Sequence, residues 1–217
     1  MWLEKGLFMM KSFYIFRHGQ TDYNVQKRLQ GRLDIPLNDQ GIAQAQTLAQ
    51  KLSNIKFDCI YTSPLSRVLK TAQIVAEKNN SKIIPEPGLQ EWNLGVFCGK
   101  IIHITQDPVD TPINMDSDIV NVPFALFTNN DFIPENGESY NMLKNRVHDT
   151  LIKIATTKDA ETIGIATHGG VMRAIIKQFT DLTYPRQGVP NAEFIKMQWD
   201  GENLTLPEPP DWLLNDQ

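Results

Sequence analysis

Apolar residues in this chain follow two alternating patterns: short dense runs, and stripes that repeat every three to four positions. Phe13-Tyr14-Ile15-Phe16 is a run of aromatic and β-branched residues of the kind a buried strand requires. Further on, Asn38 has the chemistry of a helix N-cap, and Ile42, Ala45, Leu48, Ala49 and Leu52 follow it at helical spacing. Phe57 to Thr62 predicts a second strand. Ser63-Pro64 predicts the start of a second helix, capped by the serine, with Leu65, Val68, Leu69, Ala72, Val75 and Ala76 as its buried face. Lys82 to Ile84 predicts a short third strand. Helical spacing returns at Tyr140, Leu143, Val147, Leu151 and Ile154, followed by a strand from Thr162 to Thr167 and a helix from Val171 to Phe179. Phe194 to Trp199 alternates as a half-buried strand, Asp200-Gly201 turns it, and Leu204 to Leu206 is placed to pair back. The proline-rich tail from Pro207 predicts irregular chain.

Strands alternating with helices imply an α/β protein, a mostly parallel sheet covered on both faces. Residues 1–10 are expected to be a loosely ordered N-terminal extension, and 11–217 a single domain. Between about 100 and 137 Asp and Pro recur and no helical period holds, which predicts an insertion or lid that governs specificity.

Composition narrows the function classes. A net charge of −4 argues against nucleic acid or an anionic membrane as partner, so an anionic ligand needs a local cluster of basic groups. The start of the chain lacks the long apolar core and small-residue cleavage site of a signal peptide, and no segment is long and apolar enough to span a bilayer. Cys59 and Cys98 match neither a disulfide framework nor a zinc motif, and a reducing cytoplasm is expected. Nothing distinguishes a monomer from a homodimer. No His/Asp/Glu spacing suggests a metal, and no cofactor is expected.

Candidate chemistry begins where the first strand ends, in Arg17-His18-Gly19-Gln20-Thr21-Asp22-Tyr23-Asn24. Open α/β sheets place their ligand crevice at such strand ends. A neutral imidazole can attack phosphorus if its other nitrogen keeps its proton, and a guanidinium presents a planar fork to phosphate oxygens. Arg17-His18-Gly19-Gln20-Thr21, followed in order by Asn24, Gln30-Gly31, Asp34, Pro36-Leu37, Gly41 and Gln44-Ala45, resembles the phosphatase branch of the histidine phosphatase superfamily, the phosphoglycerate-mutase-like proteins. Ser63-Pro64-Leu65-Ser66-Arg67 resembles that family's second arginine motif, where the helix N-terminus itself would attract an anion, and Thr167-His168-Gly169-Gly170 resembles its second histidine motif.

The resemblance implies a three-layer α/β/α sandwich and a metal-independent phosphomonoesterase. It would work through a phosphohistidine at His18 on a small phosphorylated metabolite. Arg17, Arg67 and His168 would complete the phosphate pocket, with Asn24 and Gly169 as further phosphate ligands. Glu91, in Leu89-Gln90-Glu91, would be the acid, since a carboxyl beside a phosphate dianion is favoured in its protonated form. Glu138, Arg146 and Asn191 match further family positions with supporting roles, whereas His103 and His148 match none. The chain departs from the family at Phe97-Cys98-Gly99, where Trp-Glu-Gly is common, which bears on loop packing and substrate choice. Two alternatives stand beside this one: a 2,3-bisphosphoglycerate-dependent phosphoglycerate mutase, and a non-catalytic phosphate-binding module of the same fold.

Overall fold

The computed structural model describes residues 10–105, 116–123, 129–182 and 188–214. Its strands are β1 (Lys11–Arg17), β2 (Cys59–Thr62), β3 (Lys82–Pro85), β4 (Ile101–Thr105), β5 (Ile119–Pro123), β6 (Thr162–Thr167), β7 (Phe194–Trp199) and β8 (Leu204–Thr205). Six of them form the main sheet in the order β3-β2-β6-β1-β7-β8. The pairs β2–β3, β2–β6 and β1–β6 are parallel, while β7 and β8 close one edge antiparallel.

The main helices are α2 (Asp39–Lys51), α3 (Ser66–Asn79), α4 (Tyr140–Ala155) and α5 (Gly169–Phe179), with single-turn helices α1 (Asp22–Val25) and α6 (Asp211–Leu214). Residues of β1 show why both faces are covered. Phe13 and Ile15 point into a core with Leu143, Val147, Leu151 and Ile175 of α4 and α5. Tyr14 and Phe16 point the other way, into a core with Leu48 of α2, Leu52 at its C-cap, and Val68 and Val75 of α3. A strand buried on both faces carries apolar residues at consecutive positions, as this one does. The three-layer α/β/α sandwich is the observed fold.

Several local expectations are corrected. The second strand starts at Cys59, two residues late, and α5 starts two residues early, at Gly169. The helix expected from Ser63 begins at Ser66, with Leu65 at the N-cap position and no cap bond from its own side chain. Pro64 disfavours a helical conformation at Ser63. Asp34 takes over the capping, its Oδ1 accepting from the Ser66 amide at 2.7 Å. The anion at this helix N-terminus is therefore the protein's own carboxylate. In the tail, α6 forms after Pro210 because Leu213 is buried in the main core.

The segment that lacks a period in the sequence contains β4 and β5, a separate two-stranded parallel sheet in register Ile101↔Ile119. Beneath it lies a third, small core of Leu94, Phe97 and Val120. Part of that segment, and most of the N-terminal stretch, fall outside the described residues. Among the described residues no helix is long and apolar enough to cross a membrane.

Candidate active site

Strand register builds the site. Parallel pairing sets Arg17 beside Thr167, so the next residues, His18 and His168, leave the sheet together. Their rings lie 5.3 Å apart between centroids, inclined at 68°. Pairing of Thr62 with Ala166 brings Ser63 to the same edge. This is the crevice at the carboxyl ends of parallel strands that the fold class uses for ligands.

His18 is 2% exposed, and its Nδ1 lies 2.6 Å from the Gly19 carbonyl. A carbonyl can only accept, so Nδ1 carries the proton and Nε2 keeps its lone pair. Burial, then the Arg17 and Arg67 guanidinium groups, hold its pKa well below 6.5. The ring is a neutral base with the tautomer that attack through Nε2 requires.

Arg67 is fully buried, with Nη1 donating to the Leu33 carbonyl at 2.7 Å and Nη2 to the Gly31 carbonyl at 2.8 Å. Its Nε is buried with no hydrogen-bond partner among the described residues. Behind Gly31 sits Cys98: a Cβ at this position, whose φ is +49°, would meet the thiol sulfur at 2.3 Å. The departure at Cys98 thus packs directly against the turn that holds Arg67. Arg17 donates through Nη1 to the Val189 carbonyl and runs alongside Gly169.

His168 is also fully buried, with Nε2 2.8 Å from the Ser63 hydroxyl and Nδ1 lacking a partner among the described residues. Burial and the neighbouring Arg67, His18 and Arg17 push its pKa well below 6.5, so this ring too is neutral.

Glu91 is fixed at the start of α5. Its Oε2 accepts from the Gly170 amide at 3.1 Å and its Oε1 from the Trp92 amide at 2.8 Å. A Cβ on Gly170 would lie 2.3 Å from Oε1, so a glycine is needed for this approach. Glu138 and Arg146 hold the loop itself. Arg146 donates to the carbonyls of Gly88, Gln90 and Glu91 and pairs with Glu138 at 2.6 Å, and Glu138 also accepts from the Asn93 amide at 2.9 Å. Asn191 donates to the His18 carbonyl at 3.1 Å. Asn24 accepts through Oδ1 from the Thr21 amide and hydroxyl, both at 3.1 Å, which leaves its NH2 end for a ligand.

One cavity of about 510 Å3 is lined by Arg17, His18, Asn24, Arg67, Glu91 and Gly169. Of the expected site residues only His168 is not among its lining, and its ring meets the His18 ring edge-on. Among the described residues the lining has five basic side chains, Arg17, Lys27, Arg28, Arg67 and Arg173, against a single carboxylate, Glu91. That is the local basic cluster which the chain's net charge of −4 calls for. A second groove of about 530 Å3, by the β7–β8 hairpin, has Asp181 and Glu202 but no lysine or arginine, so it is no match for an anion. His103 is exposed, and the His148 ring is stacked on Phe179 beside that second groove. Among the described residues no three His, Cys, Asp or Glu side chains gather as a metal site would require.

Sequence reasoning missed Ser63 as the partner of His168, and Leu29, Trp92, Leu94, Ile102 and Arg173 as cavity wall. The position of Ser63 at a strand end was the one available signal. The wall residues carry none, because tertiary folding alone brings them to the cavity.

Two arginines and two neutral histidines, gathered where parallel strands end in a doubly covered sheet, define an anion-handling α/β enzyme suited to phosphoryl transfer. The histidine phosphatase superfamily (branch 1) matches residues 13–209, and the chain belongs to that family. By family it is a phosphoric monoester hydrolase. It is 33% identical to phosphoglycerate mutase-like protein 4 of Arabidopsis thaliana over 76% of this chain and 69% of that one. It is 31% identical to the metal-independent phosphoserine phosphatase of the same plant, over 76% and 67% respectively. Among solved structures, Bacillus stearothermophilus YhfR superposes with a TM-score of 0.73 at 26% identity, covering 91% of this chain and 95% of that one.

Proposed function

We propose that this protein hydrolyses a small phosphorylated metabolite, without metal, through a phosphohistidine at His18. His18 Nε2 attacks phosphorus while the P–O bond to the alcohol breaks, and Glu91 delivers a proton to the leaving oxygen. Water then attacks the phosphohistidine, Glu91 takes its proton, the N–P bond breaks and inorganic phosphate departs. Arg17, Arg67, His168 and the Asn24 amide hold the phosphate oxygens, with the Gly169 backbone alongside.

One observation carries this reading: beside a neutral His18, two buried nitrogens, Arg67 Nε and His168 Nδ1, have no hydrogen-bond partner among the described residues. Buried polar atoms are rarely left so, and a tetrahedral anion before His18 would supply acceptors. The metal-independent phosphoserine phosphatase among the relatives favours hydrolysis, and two free thiols suit a reducing cytoplasm.

The test is release of phosphate from p-nitrophenyl phosphate in EDTA, with trapping of an acid-labile phosphoenzyme. His18→Ala is expected to lower kcat/KM by about 10^4-fold or more and to abolish the phosphoenzyme. Turnover that survives this substitution, or that EDTA removes, sinks the proposal. Interconversion of phosphoglycerates without net phosphate release would make the protein a mutase.

A further inference from the structure

Resting on the phosphomonoesterase reading, we propose that the alcohol half of the substrate is an apolar, ring-sized body seated against Leu29, Trp92, Leu94 and Ile102. A cavity of about 510 Å3 is far larger than a phosphate group needs. It falls within the range of about 300–1,000 Å3 that encloses a ligand of many atoms. These four side chains, with Val189, supply its apolar lining.

They are not scattered. Leu94 belongs to the small core with Phe97 and Val120, and Leu29, Trp92 and Ile102 are that core's half-buried margin. One side of the core supports β4 and β5, while its margin opens on the cavity. Backbone pairing holds the margin in place: Arg28 bridges Ile101 antiparallel, the Leu29 amide donates to the Lys100 carbonyl at 2.9 Å, and the Gly99 amide to the Leu29 carbonyl at 2.7 Å. The Trp92 indole N–H is already spent on the Glu138 carbonyl at 2.8 Å, and its ring packs 5.4 Å from that of Tyr140. What remains of Trp92 is a fixed apolar surface of the kind that binds rings.

Of the rim cations Arg28, Arg173 and Lys27, the first two are already engaged by groups of the protein itself. Arg28 is held bidentately by Asp118 at 2.9 and 2.5 Å, and Arg173 lies over the Tyr140 ring at 5.4 Å. Lys27 stands exposed at the edge of the cavity.

The experiment compares kcat/KM for 1-naphthyl phosphate, O-phosphoserine and 3-phosphoglycerate. A preference for 1-naphthyl phosphate of at least about tenfold, expressed mainly in KM, is expected. Ile102→Ser and Leu29→Ser are each expected to cut that preference by about tenfold, and Ile119→Ser, on the exposed side of the paired strand, to leave it intact. A preference for phosphoserine or 3-phosphoglycerate, or wall substitutions that weaken all three substrates equally, overturns the inference. Hydrolysis of all three without discrimination overturns it too, and leaves the phosphomonoesterase reading standing. Hydrolysis of none overturns that reading instead. Binding then decides the wall separately: 1-naphthylmethylphosphonate should bind at least about tenfold more tightly than methylphosphonate by calorimetry, and equal affinities would reject it.

Discussion

The inner and outer ends of the cavity are built by different physics. At the inner end the charged and titratable groups are buried or half-buried and held by directional hydrogen bonds: Arg67 by two carbonyls, His18 by the Gly19 carbonyl, Glu91 by two amides, His168 by the Ser63 hydroxyl. At the outer end the wall is half-buried and apolar, and the ion pair nearest it, Arg28–Asp118, is exposed. Directional bonds fix atoms to within a few tenths of an ångström, as chemistry on phosphorus requires. Apolar contact fixes shape and area only, which is enough to choose between alcohols. Substitutions at the inner end should therefore cost turnover or folding, and those at the outer end should alter which substrate is preferred.

Arg67→Lys sharpens the contrast most. Lysine keeps the charge but loses the fork that bonds Leu33 and Gly31, so kcat/KM for any phosphomonoester is expected to fall by about 10^2- to 10^3-fold. Near-wild-type turnover would show that charge alone suffices there.

Arg146→Met comes next. It leaves Glu138 without its closest partner, the carbonyls of Gly88 and Gln90 without a donor and the Glu91 carbonyl with only Arg32, a loss expected to cost about 2–3 kcal/mol in denaturant unfolding. Because the loop carries Glu91, kcat should drop while KM changes little. An unchanged unfolding midpoint would mean the loop is held by other contacts.

Acidification acts on the same end. His18 and His168 are held neutral when folded, with pKa values well below 6.5, and take up protons more readily when unfolded. Their contribution to stability is thus complete above pH 6.5 and is lost as pH falls below it. Each ring should remove about 1.4 kcal/mol per pH unit there, measurable by guanidinium unfolding between pH 7 and pH 5. His168→Asn should reduce that slope by about one proton. Stability that is flat over this interval would contradict burial of two neutral rings.

The smallest effect belongs to Asp118→Asn. The Arg28–Asp118 pair is exposed, so removing it should shift the thermal midpoint too little to resolve. A shift of several degrees would make the outer end as bond-dependent as the inner one, and the contrast would fail.

The sequence alone determined the layered architecture, because an amphipathic stripe or a buried run is a local pattern that one face of a sheet can satisfy. Phe13 to Phe16, Ile42 to Leu52 and Tyr140 to Ile154 specify their elements without reference to anything else. It also placed the Arg17-His18 and His168-Gly169-Gly170 segments at strand exits, which the pairing of β1 with β6 brings side by side. Tertiary structure decided the rest. Nothing local marks Asp34 as the cap of α3, Ser63 as the partner of His168, or Leu29 and Ile102 as neighbours on one wall. Those pairings join segments far apart in the chain, and their energies come from the burial and hydrogen-bond partners that each segment finds only once the other has folded against it.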